Sequence, residues 1–181
     1  MKITGITEKG AEYYDDLFNR VPQNIVPRQR VVVNRIQALN LDKVSILDVG
    51  CGCGTFAEAI PKDWNYRGFD FSSVAIAKAK EKYSDRKFQV GSVYDPQIYL
   101  PVDYNVIVCG QVLEHTDDLK VLELFPKNVH IFVTVPTFSD PSHIRYFENV
   151  TDIYNRYSGS LDLQQAEHIC TNQILFRGIK H

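Results

Sequence analysis

"SILDVGCGCGTFAEAI" (Ser45–Ile60) sets three glycines, two cysteines and an aspartate between two apolar runs. Three uses fit such a stretch: a nucleotide-binding turn, a thiol site for a metal or redox chemistry, or a tight corner. The run "SILDVG" has the β-branched and apolar character of a strand, and "TFAEAI" reads as a short helix stopped by Pro61. A strand that leaves through glycines into a helix is the opening unit of a βαβ fold.

Working outward, the same alternation repeats. Strand patterns fall at "YRGFD" (66–70), "KFQVGS" (87–92), "YNVIVCG" (104–110) and "HIFVTVP" (130–136). Helical patterns fall at "SSVAIAKAKEKY" (72–83), "DDLKVLELF" (117–125) and "NVTDIYNRY" (149–157). The continuous apolar runs at 104–110 and 130–136 suit strands buried on both faces. This order predicts an α/β three-layer sandwich, a Rossmann-like, mostly parallel sheet with helices on both faces. The last segments, "LDLQQAEHIC" and "TNQILFRGIKH", are separated by too little chain for a parallel crossover, so they predict an antiparallel edge hairpin at the C-terminus. Residues 10–40 read as two helices, "GAEYYDDLFNRV" and, after Pro27, "RQRVVVNRIQAL", packed over one end of the sheet. The whole of 1–181 is expected to form one domain: an N-terminal helical lid or cap (1–40) and a core (44–181).

In an open parallel sheet, ligands bind beyond the carboxyl ends of the strands. Gly50, Gly52 and Gly54 stand there, where backbone can approach a ligand and free N–H groups face it. Asp70 ends the next strand, about 20 residues on, where an acid accepts hydrogen bonds from ribose hydroxyls. Asp48, two residues before the first glycine, would meet an amino group and repel a pyrophosphate. The spacing G-x-G-x-G, with Thr55 at the position of a third dinucleotide glycine, also points away from a dinucleotide.

These residues carry a family resemblance. "ILDVGCGCGTF" resembles motif I of class I S-adenosylmethionine-dependent methyltransferases, "YRGFDFSSVAIAKAKEK" their second motif, "FQVGSVYD" the third and "YNVIVCGQVLEHTDDL" the fourth. The likeness spans roughly residues 44–136 and implies a seven-stranded sheet with one antiparallel strand. It implies S-adenosyl-L-methionine as cofactor, held by Asp48, Gly50, Cys51, Gly52, Gly54, Asp70, Phe71, Ser92, Val93, Tyr94 and Gln111. Ser92 departs from the acid that many relatives carry beside the adenine.

Cys51 and Cys53 form C-x-C, and with Cys109 and Cys170 they offer no ligand spacing for zinc, so no metal is expected from the thiols. "QVLEHTDD" and "SDPSHIRYF" place Glu114, His115, His143 and Arg145 on loops that converge where the methyl group would sit. E-x-x-E-H with a later histidine resembles a metal-binding branch that includes small-RNA 2′-O-methyltransferases and ubiquinone-biosynthesis O-methyltransferases. Here Gln111 replaces the first acid, which disfavours a hard cation, and no metal is expected. His143 is the leading candidate for general base or substrate contact, since H-x-R-x-F after this strand is similar to a segment of many small-molecule methyltransferases. His115 is a second candidate, or a loop residue bonded to backbone. Arg145 either grips a substrate carboxylate or phosphate or pairs with Glu114 or Asp140. Tyr13, Tyr14 and Phe18 are spaced for helix packing, with a lid contact as the alternative.

Bulk properties narrow the partners. Hydrophobic residues make up 44% and charged residues 23% of the 181, an ordinary globular balance. The net charge of −2 gives no broad nucleic-acid footprint, and the arginines between Arg20 and Arg35 read as a solvated helix face. No apolar run reaches the ~20 residues of a membrane span, and "MKITGITEKGAEYYDDLF" lacks the apolar region of a signal peptide. The expectation is a cytoplasmic enzyme with reduced thiols that methylates a small molecule, most simply at oxygen. A nicotinamide-dependent oxidoreductase and a non-catalytic cofactor-binding module are the alternatives. The sequence does not set the oligomeric state.

Overall fold

The computed structural model describes residues 1–21, 24 and 26–180. A two-residue strand β1 (Lys2–Ile3) is followed by α1 (Ala11–Arg20) and α2 (Pro27–Gln37), the latter started by Pro27, whose missing N–H costs nothing at a helix N-terminus. Then come β2 (Ser45–Val49), α3 (Thr55–Ala59), β3 (Asn65–Asp70), α4 (Ser73–Lys82) and β4 (Lys87–Val90). The second half holds β5 (Val106–Gly110), α5 (Asp118–Leu124), β6 (His130–Pro136), β7 (Arg145–Tyr146), α6 (Val150–Tyr157), β8 (Asp162–Ile169) and β9 (Gln173–Ile179). Ser72 caps α4 by accepting from Ala75 N at 3.0 Å, and Asn149 caps α6 from Asp152 N at 3.1 Å, which is why both helices begin where they do.

The main sheet has seven strands in the order β4-β3-β2-β5-β6-β9-β8. β4, β3, β2, β5 and β6 pair in parallel, while β9 runs antiparallel to both β6 and β8. The predicted α/β sandwich and C-terminal hairpin are therefore both present. The hairpin strands are shorter than the sequence pattern suggests, and His181 lies outside the described residues.

Helices cover both faces. α5 and α6 bury Val121, Leu122, Ile153 and Tyr157 on one, where Tyr157 stacks on Phe176 at 5.0 Å. α2, α3 and α4 bury Val32, Ile36, Phe56 and Ile76 on the other. Between β4 and β5 the crossover is only a 3-10 turn, Pro96–Tyr99.

One feature has no counterpart in the sequence patterns. β1 pairs antiparallel with β7, and Thr4 extends the contact by donating its hydroxyl to the carbonyls of His143 (2.5 Å) and Ile144 (3.0 Å). Strands of two residues carry no readable periodicity. No helix among the described residues is long and apolar enough to cross a membrane.

β2 pairs with both β3 and β5, so the strand order reverses between β2 and β5. A crevice opens at such a point above the strand ends. The residues that follow these two strands are Gly50 and Gln111.

Candidate active site

Gly50 has φ +66°, and a Cβ there would lie 2.4 Å from a Val112 methyl. Gly54 has φ +75°, and a Cβ there would sit 2.8 Å from the Phe88 ring. Any side chain at either position would meet both backbone strain and a clash, so the glycines are required by the turn itself. Asp70 fastens the loop: its Oδ2 accepts from Gly52 N and its Oδ1 from Ser72 N, each at 2.9 Å. Each carboxylate oxygen keeps a lone pair for a further donor such as a ribose hydroxyl.

Asp48 is buried beneath the loop and accepts a 2.6 Å hydrogen bond from the Tyr66 hydroxyl. Burial pushes its carboxyl up to about 7, with the Tyr66 bond acting in the opposite direction. It is thereby poised to ionise when a cation arrives.

Two chambers open above these strand ends. The larger, about 380 Å³, is lined by Asp70, Phe71, Ser92, Val93, Tyr94 and Gln111, among others. The smaller, about 240 Å³, takes in Asp48, Cys51, Gly52, Arg28 and Thr134. Tyr14, Phe18, Gly50, Gln111 and His115 line both and so mark the junction. Every residue predicted to bind the cofactor except Gly54 lines one chamber or the other, and Gly54 shapes the turn. Gln111 has φ +61°, an unusual conformation for a residue with a side chain. It is held there by its N–H to Thr134 O at 2.9 Å.

The catalytic candidates separate. His115 stands at the junction. Its Nδ1 lies 2.9 Å from the Ser142 carbonyl, which only accepts, so Nδ1 carries the proton and Nε2 keeps its lone pair. Burial lowers its pKa, which favours the neutral imidazole. His143 is buried behind it, with ring centroids 5.0 Å apart and Nδ1 3.2 Å from the Phe138 carbonyl. It lines neither chamber.

Arg145 is buried too, and one terminal nitrogen of its guanidinium is engaged by the fold while Nε has no partner among the described residues. It donates to the carbonyls of Leu113 and Thr116 and lies 3.6 Å from Asp118. It pins the segment after β5 to α5. Of the pairings the sequence offers, neither Glu114 nor Asp140 is its ion-pair partner; Asp118 is.

Glu114 is fully buried, and neither carboxylate oxygen has a hydrogen-bond partner among the described residues. Ligand atoms of Glu114, His115 and His143 all lie within 4.8 Å of one another. The Gln111 amide turns instead toward Thr134 Oγ1, at 3.4 Å. One carboxylate and two imidazoles, each imidazole fixed through Nδ1 by a carbonyl, suit a borderline divalent ion such as Zn²⁺ better than Mg²⁺. The cluster forms with the Gln111 amide standing apart from it.

Two lining residues differ from the first reading given to them. Arg28, read as part of a solvated face, is half-buried in the smaller chamber; nothing in its local pattern distinguishes it from Arg35, which pairs with Glu167 at 2.7 Å. Tyr14 was legible only as one of two alternatives, and it lines both chambers while Tyr13 is exposed.

Comparisons with known proteins agree with this geometry. A family model described as "Methyltransferase domain" matches residues 47–126. The chain is 34% identical over 117 residues to the mitochondrial ubiquinone biosynthesis O-methyltransferase of Saccharomyces cerevisiae, covering 60% of this chain and 36% of that protein. It therefore spans little more than a third of that relative's length. Among solved structures, magnesium protoporphyrin IX methyltransferase from Synechocystis PCC 6803, with bound SAH, aligns over 94% of this chain and 99% of its own at TM-score 0.67 and 13% identity. A TehB-like SAM-dependent methyltransferase from Corynebacterium glutamicum covers 94% and 98% at TM-score 0.64 and 18% identity. At these identities the likeness to solved structures is one of fold.

Proposed function

We propose that this chain, which belongs to the class I S-adenosylmethionine-dependent methyltransferases, binds S-adenosyl-L-methionine across the two chambers and transfers its methyl group to a hydroxyl of a small molecule. The observation that carries the reading is the junction: two adjoining chambers that share five lining residues, with the His115 imidazole among them. The nucleoside lies in the larger chamber, its ribose on Asp70 and its adenine along Ser92–Tyr94. The amino-acid end lies in the smaller one, its ammonium facing Asp48 and its carboxylate facing Arg28.

The sulfonium is already activated, so the protein's work is alignment and exclusion of water. The acceptor oxygen attacks the methyl carbon, the carbon–sulfur bond breaks, and sulfur keeps the electron pair. The hydroxyl proton passes to His115 Nε2. Such general-base help is worth about 10²–10⁴-fold. His143 supports His115 from behind in place of acting as the base itself. The S. cerevisiae relative's name favours oxygen as the acceptor atom, and the net charge of −2 favours a small molecule over nucleic acid. The free cysteines support a reducing compartment such as the cytosol.

A second reading rests on the buried, unpartnered Glu114. Glu114, His115 and His143 would hold a divalent metal, which when bound lowers the pKa of an acceptor hydroxyl. Arg145 then serves to hold the segment carrying Glu114 and His115 in register.

Titrating the protein with S-adenosylhomocysteine and with NADH tests the cofactor. Binding of the first and not the second is expected, and the reverse result would return the chain to the oxidoreductases. Methyl transfer from labelled S-adenosylmethionine to a pool of hydroxylated small molecules, with and without chelator, then tests acceptor and metal. Loss of transfer in His115→Ala without loss of cofactor binding is the expected outcome.

A further inference from the structure

A cavity of about 280 Å³ lies apart from the two chambers, between the end of α1 and α4. It is lined by Phe18, Arg20, Val21, Cys53, Lys78 and Lys82, among others. Lys78 and Lys82 are four residues apart on α4 and so share one helix face. Burial pushes the Cys53 thiol up while the Lys78 and Lys82 ammoniums act to lower it, which sets both charges about the sulfur. Arg20 adds a third cation from the α1 side. No acid lines the cavity among the described residues. A cleft walled by one sign of charge concentrates ions of the other.

The cations keep capacity for a ligand. Lys78 Nζ spends one of its three N–H groups on Phe18 O, at 2.7 Å. That bond also covers a carbonyl at the end of α1, where the helix dipole would oppose an anion. The partners of the other two cations stand outside the lining: Lys82 pairs with Glu58 at 3.0 Å and Arg20 with Asp16 at 3.1 Å. Both pairs are exposed and contribute little, so a doubly charged anion can compete for them. Phe18 and Val21 supply an apolar wall, and the volume is close to the lower end of the ~300–1,000 Å³ of small-molecule sites.

We propose that this cavity is a second ligand site, for the phosphate group of a small molecule, and that its occupant strengthens cofactor binding. Three converging cations favour a doubly charged phosphate over a single carboxylate, and ammonium groups hold phosphate as point charges. The coupling has a physical route. Phe18 lines this cavity and both chambers, and Cys53 lines it and the smaller chamber. The Phe18 ring rests on the cofactor loop, 3.3 Å from the place that a Cβ of Gly52 would take. An anion held between Arg20 and the two lysines ties α1 to α4 and keeps that ring on the loop. By linkage, the cofactor tightens the anion by the same factor. The coupling rests on the methyl-transfer reading above; the anion site does not.

Calorimetry with inorganic phosphate at constant ionic strength tests the site, and saturable binding of one phosphate per chain is expected. Lys78→Gln and Lys82→Gln should each weaken it by about tenfold, the loss of one contact between charged groups. Lys80→Gln removes the same charge from an exposed position of the same helix, outside the lining, and should change the affinity by less than about twofold. Saturating phosphate should tighten S-adenosylhomocysteine by about fivefold in the wild type, an effect lost at the same concentration in Lys82→Gln. Tighter binding of phenyl phosphate than of inorganic phosphate would assign the site to an organic ester, and equal affinity to the free ion. Absence of saturable binding, or equal weakening by all three substitutions, would reduce the cavity to a general charge effect and overturn the inference. Phosphate that weakens S-adenosylhomocysteine would be competing in the cofactor cleft, with the same consequence, and phosphate that leaves it unchanged would overturn the coupling. If phosphate binds and S-adenosylhomocysteine does not, the methyl-transfer reading fails and the anion site stands.

Discussion

The loop after β2 and the segment after β5 line the same crevice, but they are built in different ways. The loop is contiguous: Asp48, Gly50, Gly52 and Gly54 lie within seven residues, and the carboxylate that fastens it, Asp70, ends the adjacent strand. The segment after β5 depends on two other stretches of chain, residues 142–146 and 2–4. His115 is set by the Ser142 carbonyl, the carbonyls of Leu113 and Thr116 are tied by Arg145, and β7 is in turn held by β1. The first half of the crevice folds with its own βαβ unit. The second is complete only when the chain's beginning has returned to residues 143–146.

Substitutions can break that contrast. The largest effect is expected at Arg145. Arg145→Ala removes one of two guanidinium partners from fully buried Asp118 and leaves two carbonyls without donors, at a cost of about 3–5 kcal/mol. Thermal and urea unfolding should show this loss of stability in the absence of any substrate. A loss of activity in a fully stable variant would instead return Arg145 to the role of substrate clamp.

Gly54→Ala comes next. It places a Cβ 2.8 Å from the Phe88 ring in a left-handed conformation, costing about 2–4 kcal/mol from strain and overpacking together. The melting temperature should fall by about 5–15 °C. An unchanged melting temperature would mean that the loop can relax, and that the contiguous half is less rigid than its geometry indicates.

The smallest effect concerns pH. The Asp48 carboxyl is raised to about 7 in the fold, so the native state holds a proton there that the unfolded chain releases near its ordinary value. The associated stability is fully present below that ordinary value and is lost as pH rises through about 7. A ligand ammonium reverses the balance by favouring the ionised form. S-adenosylhomocysteine should therefore bind more tightly as pH rises from 6 to 8, by up to about tenfold for one proton released. Calorimetry in two buffers of different ionisation enthalpy would detect that proton, and Asp48→Asn should flatten the profile.

The same contrast explains what could be read from sequence. Strand and helix periodicity, the glycine spacing and the Asp70 position are local signals, and the sheet order and cofactor side follow from them. The hairpin of β8 and β9 was legible because its connection is too short for any other topology. The placements of His143, Arg145 and Arg28 were not, because each depends on a neighbour far along the chain: the Ser142 carbonyl holds His115 at the junction in front of His143, Asp118 pairs with Arg145, and α2 brings Arg28 to the smaller chamber. A residue type and its spacing do not reveal which of two adjacent histidines stands in front.

The Thr4 hydroxyl on the carbonyls of His143 and Ile144 bears on how mutants of this chain should be interpreted. Residues 2–4 brace the segment that holds His115 and Arg145, and the chain then runs into α1, which lines both chambers. A deletion or fusion that displaces these residues would disturb two sites at once. The resulting defect would mimic a catalytic lesion in a turnover assay and a cofactor lesion in a binding assay. Attribution then requires both assays on each variant, and any affinity handle is better joined after β9, away from that brace.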